Sequence, residues 1–169
     1  DNFNADATDE DNSCTFTPVA PVLLTPADAE TLTLTPDQDL ASTGVDFTWD
    51  ASSYAGSNTD VLTYLVAAVK MTSAEIQAAG AAALVTNDYS AITDNMVVFE
   101  QTTETTYSAM YSELNITNES ADNHYSWYVA VTKDATVLPN DEASINPTLA
   151  TEIILGIQEF SIDASVYLS

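Results

Sequence analysis

The chain has 169 residues, with 26 Asp and Glu against two basic residues and a formal net charge of −24. Apolar residues make up 46% of it, so a core is well supplied despite the charge. The only basic residues are Lys70 and Lys133. That excludes binding to nucleic acid or anionic membrane surfaces, because neutralising phosphates requires clustered Lys and Arg.

A folded chain of this mass exposes about 8,000 Å², which spaces the net charges roughly 18 Å apart. The Debye length is about 8 Å at physiological salt. Self-association is therefore permitted in saline water and opposed in dilute buffer, and the charge favours a saline habitat or bound divalent cations. Cys14 is the only cysteine, so it forms no intramolecular disulfide; a free thiol and an intermolecular bridge both stay open. No stretch approaches the ~20 apolar residues of a membrane-spanning helix. The opening on Asp1, without Met or signal peptide, leads us to expect a mature chain whose targeting segment has been removed.

Residues 1–14 form an acidic polar leader, flexible by composition. From residue 15 to 160 short β-rich runs recur, punctuated by Pro, Gly, Asn and Asp. Pro21–Leu24 and Thr31–Leu34 read as an edge strand broken at Thr25-Pro26-Ala27-Asp28. Val45–Trp49 alternates, with Val45, Phe47 and Trp49 on the buried face. Val61–Val69 is a long strand. Thr72 and Glu75 have capping-box spacing before an alanine-rich stretch, which predicts an inserted helix over Ser73–Leu84 with Gly80 as its weak point. Val85–Asn95 reads as loop.

Met96–Gln101 and Thr105–Met110 are the next strands, followed by a helical turn over Tyr111–Asn115. His124–Thr132 is the strongest strand, with Tyr125, Trp127, Val129 and Val131 on one face and Trp127 in the core. Ala150–Phe160 reads as the last strand of the sandwich. Residues 161–169 hold an extra C-terminal strand, in which Ile162, Val166 and Leu168 alternate with Tyr167 opposite. The sum is an all-β, antiparallel β-sandwich of about 7–9 strands with one short inserted helix.

Several of these segments, taken in order, resemble a known family. They are Pro21-Val-Leu-Leu-Thr-Pro-Ala-Asp28, Asp46-Phe-Thr-Trp-Asp-Ala-Ser-Ser-Tyr54 and Leu62-Thr-Tyr-Leu-Val66. Thr102-Thr-Glu-Thr-Thr-Tyr107, Ser112-Glu-Leu-Asn115, Tyr125-Ser-Trp-Tyr-Val-Ala-Val131 and Ala150-Thr-Glu-Ile-Ile-Leu-Gly156 follow. Together they resemble the immunoglobulin/fibronectin-like N-terminal domain of SusE-type outer-membrane proteins of Bacteroidetes polysaccharide-utilisation systems. The resemblance spans roughly residues 20–160. It implies a non-catalytic, lipid-anchored module at the extracellular face of the outer membrane, with a lipidated cysteine upstream of Asp1. The helical insertion over residues 72–95 is longer than that family's usual hairpin, and the domains that bind glycan downstream in the family are not in this sequence.

The residues themselves point away from catalysis. His124 is the only histidine and opens a strand; no Ser-His or Cys-His pair, nucleophile elbow or phosphate loop is present. No cofactor is expected apart from calcium, whose hard oxygen ligands the chain has in quantity. Asp1, Asn4, Asp6, Asp9 and Asp11 are the candidate ligands, with the loops Asp37–Asp39 and Asn140–Glu142 as further clusters. For glycan capture, Tyr54, Tyr89, Tyr111 and Tyr128 are the aromatics expected to face outward. Asn115-Ile-Thr and Asn118-Glu-Ser match glycosylation sequons.

Two functions stay open on this reading. One is surface binding, through glycan capture or docking at an outer-membrane complex. The other is a subunit of a self-assembling filament or layer, whose terminal strand (Ile162, Val166, Tyr167, Leu168) completes a neighbour's sheet. The partners are accordingly other surface proteins or copies of the same chain.

Overall fold

Apolar residues at every second position put one face of a strand in a core, and an unbroken apolar run puts both faces there. Both patterns occur, and together they set the layers. A computed structural model of the protein describes residues 18–53, 61–117, 123–138 and 157–167. In it β1 (Leu23–Thr25), β2 (Glu30–Thr33), β3 (Gly44–Trp49), β4 (Thr63–Val69), β5 (Met96–Thr102), β6 (Thr106–Met110), β7 (His124–Thr132) and β8 (Gln158–Asp163) form two sheets. One has the order β1-β3-β6 and the other β2-β8-β7-β4-β5. All pairings are antiparallel except β2 with β8, which run parallel from Glu30 opposite Phe160 to Thr33 opposite Asp163.

The first core lies between the sheets. β3 sends Val45, Phe47 and Trp49 inward as its alternation predicts, and β7 meets them with Tyr125, Trp127 and Val129. Phe47 sits edge-on to Trp127, with ring centroids 5.2 Å apart, and edge-on to Phe160 at 5.8 Å. Tyr125 stacks on Phe160 at 4.9 Å. Such pairs add packing energy beyond their buried area. The indole N–H of Trp127 donates to the carbonyl of Pro26 at 3.2 Å, and the Thr25–Pro26 peptide that precedes this carbonyl is cis. That hydrogen bond ties the strongest strand to the point where the chain leaves β1 in one sheet for β2 in the other.

The second core lies on the outer face of the larger sheet. β4 reads Tyr-Leu-Val-Ala-Ala-Val over its last six residues, and all six are buried. Tyr64, Val66 and Ala68 face the other sheet, while Leu65, Ala67 and Val69 face a helical layer. That layer is α1 (Ser73–Thr86) and the single turn α2 (Ser90–Thr93), inserted between β4 and β5. Ile76 and Ile92 pack with Tyr128 and Leu138 in this second cluster.

α1 starts where its capping box predicts. Thr72 accepts the Glu75 N–H at 3.3 Å, and the Glu75 carboxylate accepts the Thr72 N–H at 2.8 Å. It ends two residues later than expected, at Thr86, and is capped by Asn87, whose left-handed backbone (φ 54°) turns its N–H to the Ala83 carbonyl at 2.7 Å. The stretch 85–95, expected to be loop, contains the short α2. The helical layer is anchored to the sheet: the Ser73 N–H donates to the Glu159 carboxylate of β8 at 2.7 Å, and Ser126 of β7 donates to the Met71 carbonyl at 2.9 Å. Thr72→Ala removes the cap and is expected to cost about 1 kcal/mol, seen as a fall in Tm of roughly 2–4 °C. Circular dichroism melts of the two proteins check it.

Candidate functional site

The three aromatics of the glycan reading that lie in the described residues do not form a platform. Tyr128 is 2% exposed, because the face of β7 opposite Trp127 is covered by the helical layer rather than open to solvent. Tyr111 is 7% exposed: it opens a short 3-10 turn, its N–H donates to the Thr43 carbonyl at 2.9 Å, and its ring joins the inter-sheet core. Both were expected to face outward, and both are buried instead. Tyr89 is half-buried against the helical cluster. Tyr54 lies outside the described residues.

The C-terminal strand also differs from expectation. A single strand, Gln158–Asp163, crosses the boundary drawn between residues 160 and 161. It sits inside the five-stranded sheet between β2 and β7, not beyond a finished sandwich. Ile162 is fully buried, and its N–H donates to the Asn123 carbonyl at 2.9 Å. Thus Ile162 is a core residue of its own domain. Val166 and Tyr167 follow in a turn after the strand, and Leu168 lies outside the described residues. The physical reason is that Phe160 and Ile162 supply large side chains to the inter-sheet core, which ties this segment to its own sheet.

The leader residues Asp1, Asn4, Asp6, Asp9 and Asp11 lie outside the described residues, as does Asn140–Glu142. Among the described residues no group of three or more His, Cys, Asp or Glu is placed to hold a metal ion. Asp39 shows what several acids do instead. Its carboxylate accepts the Ala41 N–H at 3.0 Å and the Ser42 hydroxyl at 2.8 Å, and these bonds hold its pKa below the ordinary value. Asp88 is held low by the Ser90 N–H, and Asp134 by the hydroxyl and N–H of Thr136. These carboxylates build their own turns, a role Asp takes through its short side chain.

Among the described residues the exposed large apolar side chains form two groups, with Val61 and Val166 standing apart from both. Val19, Val22 and Leu24 lie on or before β1, at the edge of the smaller sheet. Leu84 and Val85, at 72% and 87% exposed, stand on the last turn of α1 and are the most exposed large hydrophobics among the described residues. α1 is unusual in having apolar residues all round. Ile76, Gly80 and Ala83 face the sheet, while Ala74, Ala78, Ala81 and Val85 face solvent. The spacing of that outer stripe (i, i+4, i+7, i+11) keeps these residues on one face of the helix, opposite Ile76, Gly80 and Ala83. Residues 76–87 carry no charge, in a chain of net charge −24. Sequence reading treated this stretch only as a helix; its uncharged outer face was the available signal.

At the far end of the sandwich, Trp49 Nε1, Ser52 Oγ and Gln158 Oε1 are buried without a hydrogen-bond partner among the described residues. Ser52 and Gln158 adjoin, in sequence, segments outside those residues, so they define no site here.

No family model matches the chain, no curated protein matches its sequence, and no solved structure matches its fold.

Proposed function

We propose that this chain is a non-catalytic extracellular module of the immunoglobulin/fibronectin III type, similar to SusE-type accessory proteins, that docks on other proteins at the outer-membrane surface. The observation that carries the reading is the strand order. A three-stranded sheet β1-β3-β6 faces β2-β8-β7-β4-β5, and the first strand switches sheets to run parallel to the last. This corresponds to strands A-B-E facing A′-G-F-C-C′ of such sandwiches. Tyr125, at the start of β7, donates its hydroxyl to the Leu114 carbonyl at 2.8 Å in the connection from β6, as in a tyrosine corner. Burial pushes that phenol well above its ordinary pKa, so it stays a donor. Trp127, two residues on, contacts Phe47 where antibody domains place their inter-sheet disulfide.

The surface location and docking role rest on the sequence resemblance and on fold-level analogy. Docking is favoured over glycan capture because sugar stacking needs open aromatic faces, and Tyr111 and Tyr128 are buried. Assembly through a donated terminal strand would require β8 to leave the middle of its sheet and uncover Phe160 and Ile162. Electron microscopy of the native protein in saline buffer, with and without a calcium chelator, tests the reading beside a glycan array. Membrane-complex particles with no glycan retained are the expected result. Specific glycan retention, or filaments of the chain alone, would overturn it; loss of particles on chelation would add calcium to the contact.

A further inference from the structure

We propose that Asn115 is a modification site, whose side-chain amide receives an N-linked glycan while the chain is being exported. This goes beyond the docking reading. Asn115-Ile-Thr117 is the tripeptide that an asparagine-directed glycosyltransferase requires. Glu113, two residues ahead of the acceptor, adds the acid that bacterial transferases of this class read with it. The other sequon, Asn118-Glu-Ser120, has Ile116 at that position, and Asn118 lies outside the described residues.

The fold presents Asn115 to solvent and makes no use of its side chain. The segment follows the 3-10 turn Tyr111–Glu113 in the connection from β6 to β7. Leu114 is fully buried and Ile116 packs against the same inter-sheet core, while Asn115 between them is exposed. The backbone on either side is held. Glu113 accepts the Met110 N–H at 2.8 Å, the Tyr125 hydroxyl donates to the Leu114 carbonyl at 2.8 Å, and Lys70 Nζ donates to the Asn115 carbonyl. Asn115 itself is left-handed (φ 51°), a conformation that asparagine tolerates and glycine adopts freely. The turn thus needs a permissive backbone at 115 and nothing from the carboxamide, which makes no hydrogen bond among the described residues. A bulky polar group on that exposed amide displaces nothing in the core.

Thr117 sets the timing. Its N–H and its hydroxyl both donate to Asn123 Oδ1, at 2.8 Å and 3.2 Å, which engages the hydroxyl in the finished fold. The transferase therefore meets the chain before Asn123 is in place. In the transfer, Asn115 Nδ2 attacks the anomeric carbon of a polyprenyl-diphosphate-linked sugar. The new C–N bond replaces the C–O bond to the diphosphate, which leaves with the electron pair. Nδ2 gives up one proton to a base of the transferase.

Peptide mass spectrometry of the protein purified from the cells that export it tests the proposal. The peptide holding Asn115 is expected to carry sugar, and an amidase that releases the glycan should leave aspartate at 115. Asn115→Gly keeps the left-handed turn, so it should lose the glycan and melt with the enzymatically deglycosylated parent. Thr117→Ser keeps both the sequon and a hydroxyl for Asn123, and should stay glycosylated. Glu113→Gln still accepts the Met110 N–H and should lose most of the glycan. An unmodified Asn115 in the exported protein would overturn the proposal, as would a glycan that persists in Asn115→Gly. Occupancy unmoved in Glu113→Gln would overturn the part given to the acid.

Discussion

Replacing Trp127 with alanine should destabilise the protein by about 3–5 kcal/mol and lower its Tm by roughly 6–20 °C. The side chain is fully buried at the centre of the inter-sheet core, in edge contact with Phe47. Its removal leaves a cavity that β3 and β7 cannot close without breaking their own ladders, and it strips the Pro26 carbonyl of its donor. Trp127→Phe separates the two effects. It keeps much of the ring packing and loses the 3.2 Å hydrogen bond to Pro26, and the bond itself is worth about 1 kcal/mol. Urea unfolding of the three proteins reads both values. An alanine variant within about 1 kcal/mol of the parent would show that the core collapses around the gap.

Gly44→Ala should be the other large single-site effect, although it adds only one methyl group. Gly44 opens β3 opposite Met110 of β6. A Cβ built there would lie 2.0 Å from the Ala109 carbonyl oxygen and 2.9 Å from the Met110 Cα. Both are backbone atoms, so no rotamer change relieves the clash and the strands must move apart. Overpacking of this kind costs on the order of 1–3 kcal/mol, and more where backbone has to shift. Since β6 pairs only with β3 among the described residues, the expected signature includes faster amide exchange along Thr106–Met110. An unaltered melt together with unaltered exchange there would show that the edge of the small sheet yields without loss.

The local elements were largely legible before the fold. β3 showed its inward face through Val45, Phe47 and Trp49, and β7 did so through Tyr125, Trp127 and Val129; all six are buried. The start of α1 was readable from Thr72 and Glu75, because a capping box needs only four consecutive residues. Tyr128 is the instructive failure. Period two correctly placed it opposite Trp127, but a strand's own pattern does not say what covers its other face. The signal lay one strand away: β4 is apolar at every position from Tyr64 to Val69, so both faces of the larger sheet had to be covered.

By itself, then, the sequence determined the main β-rich runs, the capped start of the helix, the inward faces of β3 and β7 and the strongly acidic charge, because each depends on near neighbours or on composition. Tertiary structure alone decided that α1 forms a third layer, that Tyr111 and Tyr128 are buried, and that β8 lies between β2 and β7. Those outcomes depend on which distant segment supplies the opposite surface. Ile162 and its neighbours alternate in the same way whether they complete their own sheet or another chain's. Only the fit of Phe160 and Ile162 into this core places the strand. The same holds for the stripe Ala74, Ala78, Ala81 and Val85: its spacing is written in the chain, but its exposure became evident only when Ile76, Gly80 and Ala83 took the other side of the helix.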